Sequence, residues 1–186
     1  IFTDEAKPSV NICHFCNVCG QRVNSVCRYS RSCKTRKINK VSKCIVIVGA
    51  TGTGKTSEVC KILEQITIPL LIFDVNNEEK YRTFRNTWNK DVNIKNFVSG
   101  IVGAKVQNTC IVFEEATIFF SHGGSTEQIK QILVQKRHTK NLLIFNFHSL
   151  RQVPLYILDF CDLLIIGKTI DNTKNIEEKF KDFEEI

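Results

Sequence analysis

The chain has 186 residues, enough for one sizeable domain and a small appendage. Its 42% apolar and 24% charged content is that of an ordinary globular protein and excludes a fibrous or low-complexity chain. The charge is lopsided. In residues 1–43, nine Lys/Arg (Lys7, Arg22, Arg28, Arg31, Lys34, Arg36, Lys37, Lys40 and Lys43) stand against Asp4 and Glu5, which accounts for the whole net charge of +7. A basic arm suits a polyanion such as nucleic acid, and equally a solvated lead-in.

No run reaches the roughly 18 apolar residues of a membrane span, and no secretory signal opens the chain. The expectation is a soluble, cytoplasmic protein, or host-cytoplasmic for a viral chain. Met is absent throughout, so the start reads as processed, truncated or taken from a frame without its true start.

Five of the nine cysteines crowd the first 43 residues. Cys13, Cys16 and Cys19 have a spacing that can hold a metal, with Cys27 or Cys33 as the fourth ligand. Tetrahedral Zn²⁺ on Cys13, Cys16, Cys19 and Cys27 is one reading, although the second pair is looser than in common zinc modules. A Cys-rich tail without metal is the other. Cys44, Cys60, Cys110 and Cys161 lie in or beside apolar runs and read as small core residues.

From residue 44 strands and helices alternate. Cys44–Val48 is a β-branched run, predicted as a buried strand. A glycine-rich turn follows, then a helix from Lys55 to Ile66, which Pro69 ends. Leu70–Asp74 is the second predicted strand. Residues 76–90 read as a polar loop with a short helix. Cys110–Glu114 is the third strand. His122-Gly-Gly124 is a break, and Ser125 or Thr126 caps a helix running to about His138. Leu142–Asn146 and Leu163–Ile166 are the fourth and fifth strands, and the tail from Asp171 reads as a charged helix. Continuous apolar strands between helices predict a parallel sheet covered on both faces.

The strongest motif is Gly49-Ala50-Thr51-Gly52-Thr53-Gly54-Lys55-Thr56, with Ser57 following. It matches the G-x-x-x-x-G-K-[ST] phosphate loop and lies between a strand and a helix, as that loop requires. Glycines let successive N–H groups face phosphates, and the helix dipole points at the same charge. Lys55 can reach the terminal phosphates of ATP, and the Thr56 hydroxyl can ligate Mg²⁺. The second motif, Ile111-Val112-Phe113-Glu114-Glu115, is a strand ending in two acids. Glu114 stands where an Asp usually helps hold Mg²⁺, and Glu115 is placed to polarise an attacking water. The third is the end of the fourth strand, where Asn146 and His148 are candidates to contact the γ-phosphate or the water. Arg137, just before that strand, is a candidate for stabilising phosphoryl charge across a subunit boundary. Arg82, Arg85 and Arg151 are weaker ones.

These motifs together resemble the additional-strand P-loop ATPases, and within them the DNA-pumping branch of FtsK/HerA-type translocases, viral genome-packaging ATPases and zonula occludens toxin-like phage ATPases. The resemblance covers about residues 44–170. It implies a three-layer α/β fold of RecA type with a mainly parallel sheet of order 5-1-4-3-2. It also implies a hexameric ring and ATP hydrolysis coupled to moving DNA. The expected organisation is a basic Cys-rich segment (1–43), a P-loop ATPase domain (44–170) and a charged tail (171–186). A small-molecule kinase sharing the P-loop, and a non-hydrolysing ATP-switched DNA-binding module, are the alternatives.

Overall fold

Apolar residues on both faces of a strand need cover on both faces, and the fold supplies it. The computed structural model describes residues 42–84, 87–88, 93–120, 126–169 and 171–172, together with a backbone pairing of His14–Phe15 with Arg22–Val23. The main sheet contains β1 (Lys43–Val48), β2 (Leu70–Phe73), β3 (Thr87–Trp88), β4 (Cys110–Phe113), β5 (Leu142–Phe147) and β6 (Leu163–Ile166). Its order is β3-β2-β4-β5-β1-β6, and every pairing is parallel. The five sequence-predicted strands therefore stand in the expected 5-1-4-3-2 order.

Alternation along β1 assigns the two layers. Ile45 and Ile47 face α1 (Lys55–Leu63) and pack with Val59, Leu63 and Tyr81. Cys44, Val46 and Val48 face the opposite layer. That layer contains α2 (Ile94–Gly103), α3 (Ala116–Phe120), α4 (Thr126–Thr139) and α5 (Leu155–Leu158). Between the sheet and this layer lies a cluster of phenylalanines. Phe113 and Phe145, neighbours on β4 and β5, stack at 4.8 Å, with Phe97 and Phe120 edge-on against Phe113.

Several features differ from the sequence reading, among them the short helices α3 and α5, which it did not contain. Helix α1 ends at Leu63, three residues before the expected Ile66. The short helix expected within 76–90 is a 3₁₀ turn at Glu79–Thr83, and beyond it β3 adds a sixth strand at the sheet edge beside β2. Helix α2 was not anticipated. Asn93 caps it by accepting the Lys95 N–H at 2.8 Å, and it buries Phe97, Val98 and Ile101. Of the expected tail helix, only residues 171–172 are described, and Ser125 lies outside the described residues.

Candidate active site

In a parallel sheet all strand C-termini share one edge, and the loops leaving that edge meet there. The Gly49–Thr56 loop leaves β1 at this edge, between β5 and β6. Its first residues are tied to both neighbouring strands. The Gly49 N–H donates to Phe147 O at 3.0 Å, and the Ala50 N–H donates to Lys168 O at 2.8 Å. Thr53 closes the turn, its hydroxyl donating to Ala50 O at 2.7 Å. Gly52 and Gly54 have φ of 78° and 91°, a region that side chains avoid. Gly49 is required by space, since a Cβ there would lie 2.6 Å from Thr53 Oγ1. Gly54 is the N-cap of α1 and has no side chain to cap it, so the first turn is open to an anion.

Lys55 lies back over the loop. Its ammonium donates to Gly49 O at 2.8 Å and to Ala50 O at 3.3 Å. Burial lowers its pKa, opposed by the charges of Glu115 and Glu114.

The two acids at the end of β4 have different surroundings. Glu114 is 2% exposed. Its Oε1 accepts the Thr56 hydroxyl at 2.9 Å. Its Oε2 accepts the Tyr81 hydroxyl at 2.7 Å and the Asn146 amide at 2.5 Å. Burial raises the Glu114 pKa, and these three donors work against that rise. Glu115 is half-buried and has φ 55°, a left-handed conformation that costs a non-glycine residue about 1 kcal/mol. That backbone turns its carboxylate away from the Glu114 pocket and onto His148, whose Nε2 meets Glu115 Oε2. The other imidazole nitrogen, Nδ1, lies 3.5 Å from Lys55 Nζ. An ammonium has only protons to give, so Nδ1 accepts and Nε2–H donates to Glu115. His148 is itself held by its backbone N–H, which donates to Thr117 Oγ1 at 3.0 Å.

Lys55, Thr56, Glu114, Glu115, Asn146 and His148 thus converge, as the sequence suggested for each. Asn146 is buried against Glu114 rather than open to the mouth of the loop. Arg137 is not part of this group. It is exposed on the last turn of α4, and α4 leads directly into β5, so Arg137 lies at the N-terminal edge of the strands, opposite the phosphate loop. Arg82 and Arg151 are exposed, and Arg85 lies outside the described residues. Cys13, Cys16, Cys19 and Cys27, the proposed zinc ligands, also lie outside them.

The sequence reading missed the segment after β2. Asp74 accepts the N–H groups of Glu78 at 2.7 Å and Asn76 at 3.2 Å, and so folds the chain back over the site. Asn76 Nδ2 then lies 3.4 Å from Glu115 Oε1, Lys80 donates to Ser57 Oγ at 2.8 Å, and Tyr81 reaches Glu114. The local signal was an Asp at a strand end with Asn-Asn two residues on, Asp74-Val75-Asn76-Asn77.

A hydroxyl and a carboxylate side by side form an all-oxygen set of the kind Mg²⁺ takes. Thr56 and Glu114 fit that ion, and the longer Glu114 side chain is accommodated by burial and three donors. Among the described residues no helix is long and apolar enough to cross a membrane.

Solved structures share this fold. The DNA-packaging ATPase B204 from Sulfolobus Turreted Icosahedral Virus aligns with a TM-score of 0.64 and 19% identity, over 79% of this chain and 85% of that one. The genome packaging NTPase B204 from Sulfolobus turreted icosahedral virus 2, in complex with ATP-gammaS, aligns at 0.62 and 20%, over 76% and 83%. The cytoplasmic domain of EssC aligns at 0.62 and 15%, over 73% of this chain, which spans only 33% of that longer one. Among curated proteins the sequence finds no match. The family model described as the central domain of the helicase HerA matches residues 34–183, and the chain belongs to that family.

Proposed function

We propose that this chain is an ATP-hydrolysing motor domain that acts on DNA in genome packaging or transfer, within a homohexameric ring in the cytoplasm. The observation that carries the hydrolytic reading is the line Lys55–His148–Glu115. It holds a carboxylate near the lysine of the phosphate loop, and a carboxylate so held can polarise a water that attacks a terminal phosphate. A domain that merely clamps nucleotide has no use for this second acid.

In this reading the backbone of Gly49–Gly54, with Lys55, Thr56 and Ser57, holds the phosphates of ATP. Lys55 exchanges the carbonyls of Gly49 and Ala50 for phosphate oxygens. Thr56 and Glu114 would hold Mg²⁺, which when bound neutralises phosphate charge. Glu115 orients the water and takes its proton, and His148 keeps the carboxylate in place. Asn146 keeps Glu114 in place. Arg137, on the far edge of the sheet, meets a nucleotide only across a subunit boundary. Support for DNA comes from the basic arm at residues 1–43 and from the likeness to B204, a DNA-packaging ATPase.

The test is phosphate release from ATP with and without DNA, for the wild type and Glu115→Gln. Turnover that DNA stimulates, and that the variant loses by about a hundredfold or more, is expected. No turnover, or equal turnover in the variant, would overturn the proposal. Phosphate appearing on an added nucleoside acceptor would make the protein a transferase instead.

A further inference from the structure

Tyr81 was in no motif, yet it is a large, fully buried side chain that reaches the candidate site. Its ring packs among Val59, Leu63, Ile72 and Val112 in the cluster between α1 and the sheet, so its position is set by packing. Its hydroxyl ends on Glu114 Oε2 at 2.7 Å. The same oxygen accepts the Asn146 amide from the opposite side, leaving Oε1 for Thr56. A glutamate has one more rotatable bond than the aspartate usual at this position. The donors on either side of Oε2 remove that freedom and direct Oε1 at the hydroxyl of the phosphate loop.

The chain leading into Tyr81 is fastened at two points. Asp74 holds the chain before it, and Lys80 donates to Ser57 Oγ at 2.8 Å on the first turn of α1. Tyr81 therefore joins β2 and the phosphate-loop helix to the acid at the end of β4.

We infer that Tyr81 is a positioning residue for cation binding: its hydroxyl fixes Glu114 so that a glutamate, together with Thr56, serves a divalent cation bound with the nucleotide. This inference rests on the ATP-binding reading of the site. A tyrosine present only for packing would give the phenylalanine variant full cation affinity.

Tyr81→Phe retains the ring and removes the hydroxyl. The experiment titrates Mg²⁺ against binding of a fluorescent, slowly hydrolysed ATP analogue, with EDTA samples and thermal melts alongside. The Mg²⁺ concentration at half-effect should rise about tenfold in the variant. Analogue affinity in EDTA should stay within about twofold of the wild type, since direct phosphate contacts are untouched. An unchanged Mg²⁺ midpoint overturns the inference. So does an equal loss of affinity with and without Mg²⁺, which marks a structural role. If the wild type itself binds the analogue no better with Mg²⁺, the reading of the site fails first. A Mg²⁺-dependent wild type with an identical variant removes Tyr81 alone.

Discussion

Glu115 and His148 are hydrogen-bonded across the C-terminal ends of adjacent strands, and Glu115 holds a left-handed backbone, φ 55°, to make the contact. A strained residue persists only where its surroundings over-determine it. Here the imidazole does so, because its second nitrogen also faces Lys55 at 3.5 Å.

His148→Ala should separate chemistry from binding. Glu115 loses its orienting partner, while the phosphate loop keeps its own contacts. Turnover should fall about tenfold to a hundredfold, and the affinity for a slowly hydrolysed ATP analogue should change by less than about threefold. Steady-state kinetics with an analogue titration read both. A loss of affinity as large as the loss of turnover would place His148 in binding.

Gly49→Ala should weaken nucleotide binding about tenfold or more with the sheet intact. The added Cβ meets Thr53 Oγ1 at 2.6 Å, and that oxygen is held by its bond to Ala50 O. Adding Thr53→Ala removes the obstacle, since the Thr53 Cβ itself lies at 3.6 Å. Analogue binding should then partly recover. A double variant no better than the single one would mean that the loop rejects the methyl for another reason.

Phe145→Ala should lower stability by about 3–5 kcal/mol, the range for deleting a buried aromatic. Phe145 is fully buried, stacks on Phe113 at 4.8 Å and meets Phe120 at 5.9 Å, so the space cannot close easily. Urea unfolding measures it, and a loss under about 1 kcal/mol would contradict the packing described.

Lys136 is 4% exposed and donates to Phe160 O and Asp162 Oδ2, both at 2.5 Å. Asp162 Oδ2 also accepts the Cys44 N–H at 2.7 Å, so the ammonium ties α4 to the junction of β1 and β6. Lys136→Ala leaves the Phe160 carbonyl without this donor and Asp162 with only the Cys44 N–H and solvent, and should lower stability by about 1–3 kcal/mol. Lys136→Met keeps the stem and should recover part of that. Equal melting of the wild type and the alanine variant would show the pair to be neutral.

Asp74 gives a pH dependence. Burial raises its pKa, against the pull of the Glu78 and Asn76 N–H groups. Over the interval between the ordinary value and the raised one, the folded chain retains a proton that the unfolded chain has released. Stability from this group therefore falls as pH rises through that interval and levels off above it. Asp74→Asn should flatten that part of the melting-temperature curve, which begins at the ordinary aspartate range and extends upward from it. Parallel curves for variant and wild type would exclude Asp74 as its source.

The phosphate loop and the acid pair were legible because each is contiguous. Glycine spacing, a preceding apolar strand and a following helix all lie within a few residues of Lys55. The strands were legible because burial on both faces leaves uninterrupted apolar runs. Helix α2 had a readable signal in Asn93 and in Ile94, Phe97, Val98 and Ile101 at helical spacing, masked by Gly100 and Gly103. β3 had none: two residues carry no period, and Thr87–Trp88 is a strand only through its pairing with Ile72 and Phe73.

The loop Gly49–Thr56 could be recognised from local chemistry, because the constraints on a phosphate loop act between neighbouring residues. Which distant groups serve it depends on chain direction and packing. The parallel arrangement sends His148 to the loop, Asn146 to Glu114 beside it and Arg137 to the opposite edge, although all three lie on or next to the same strand. Tyr81 reaches Glu114 only because a 3₁₀ turn closes over α1. No spacing along the chain encodes that meeting, since it exists only once the sheet has brought the two segments together.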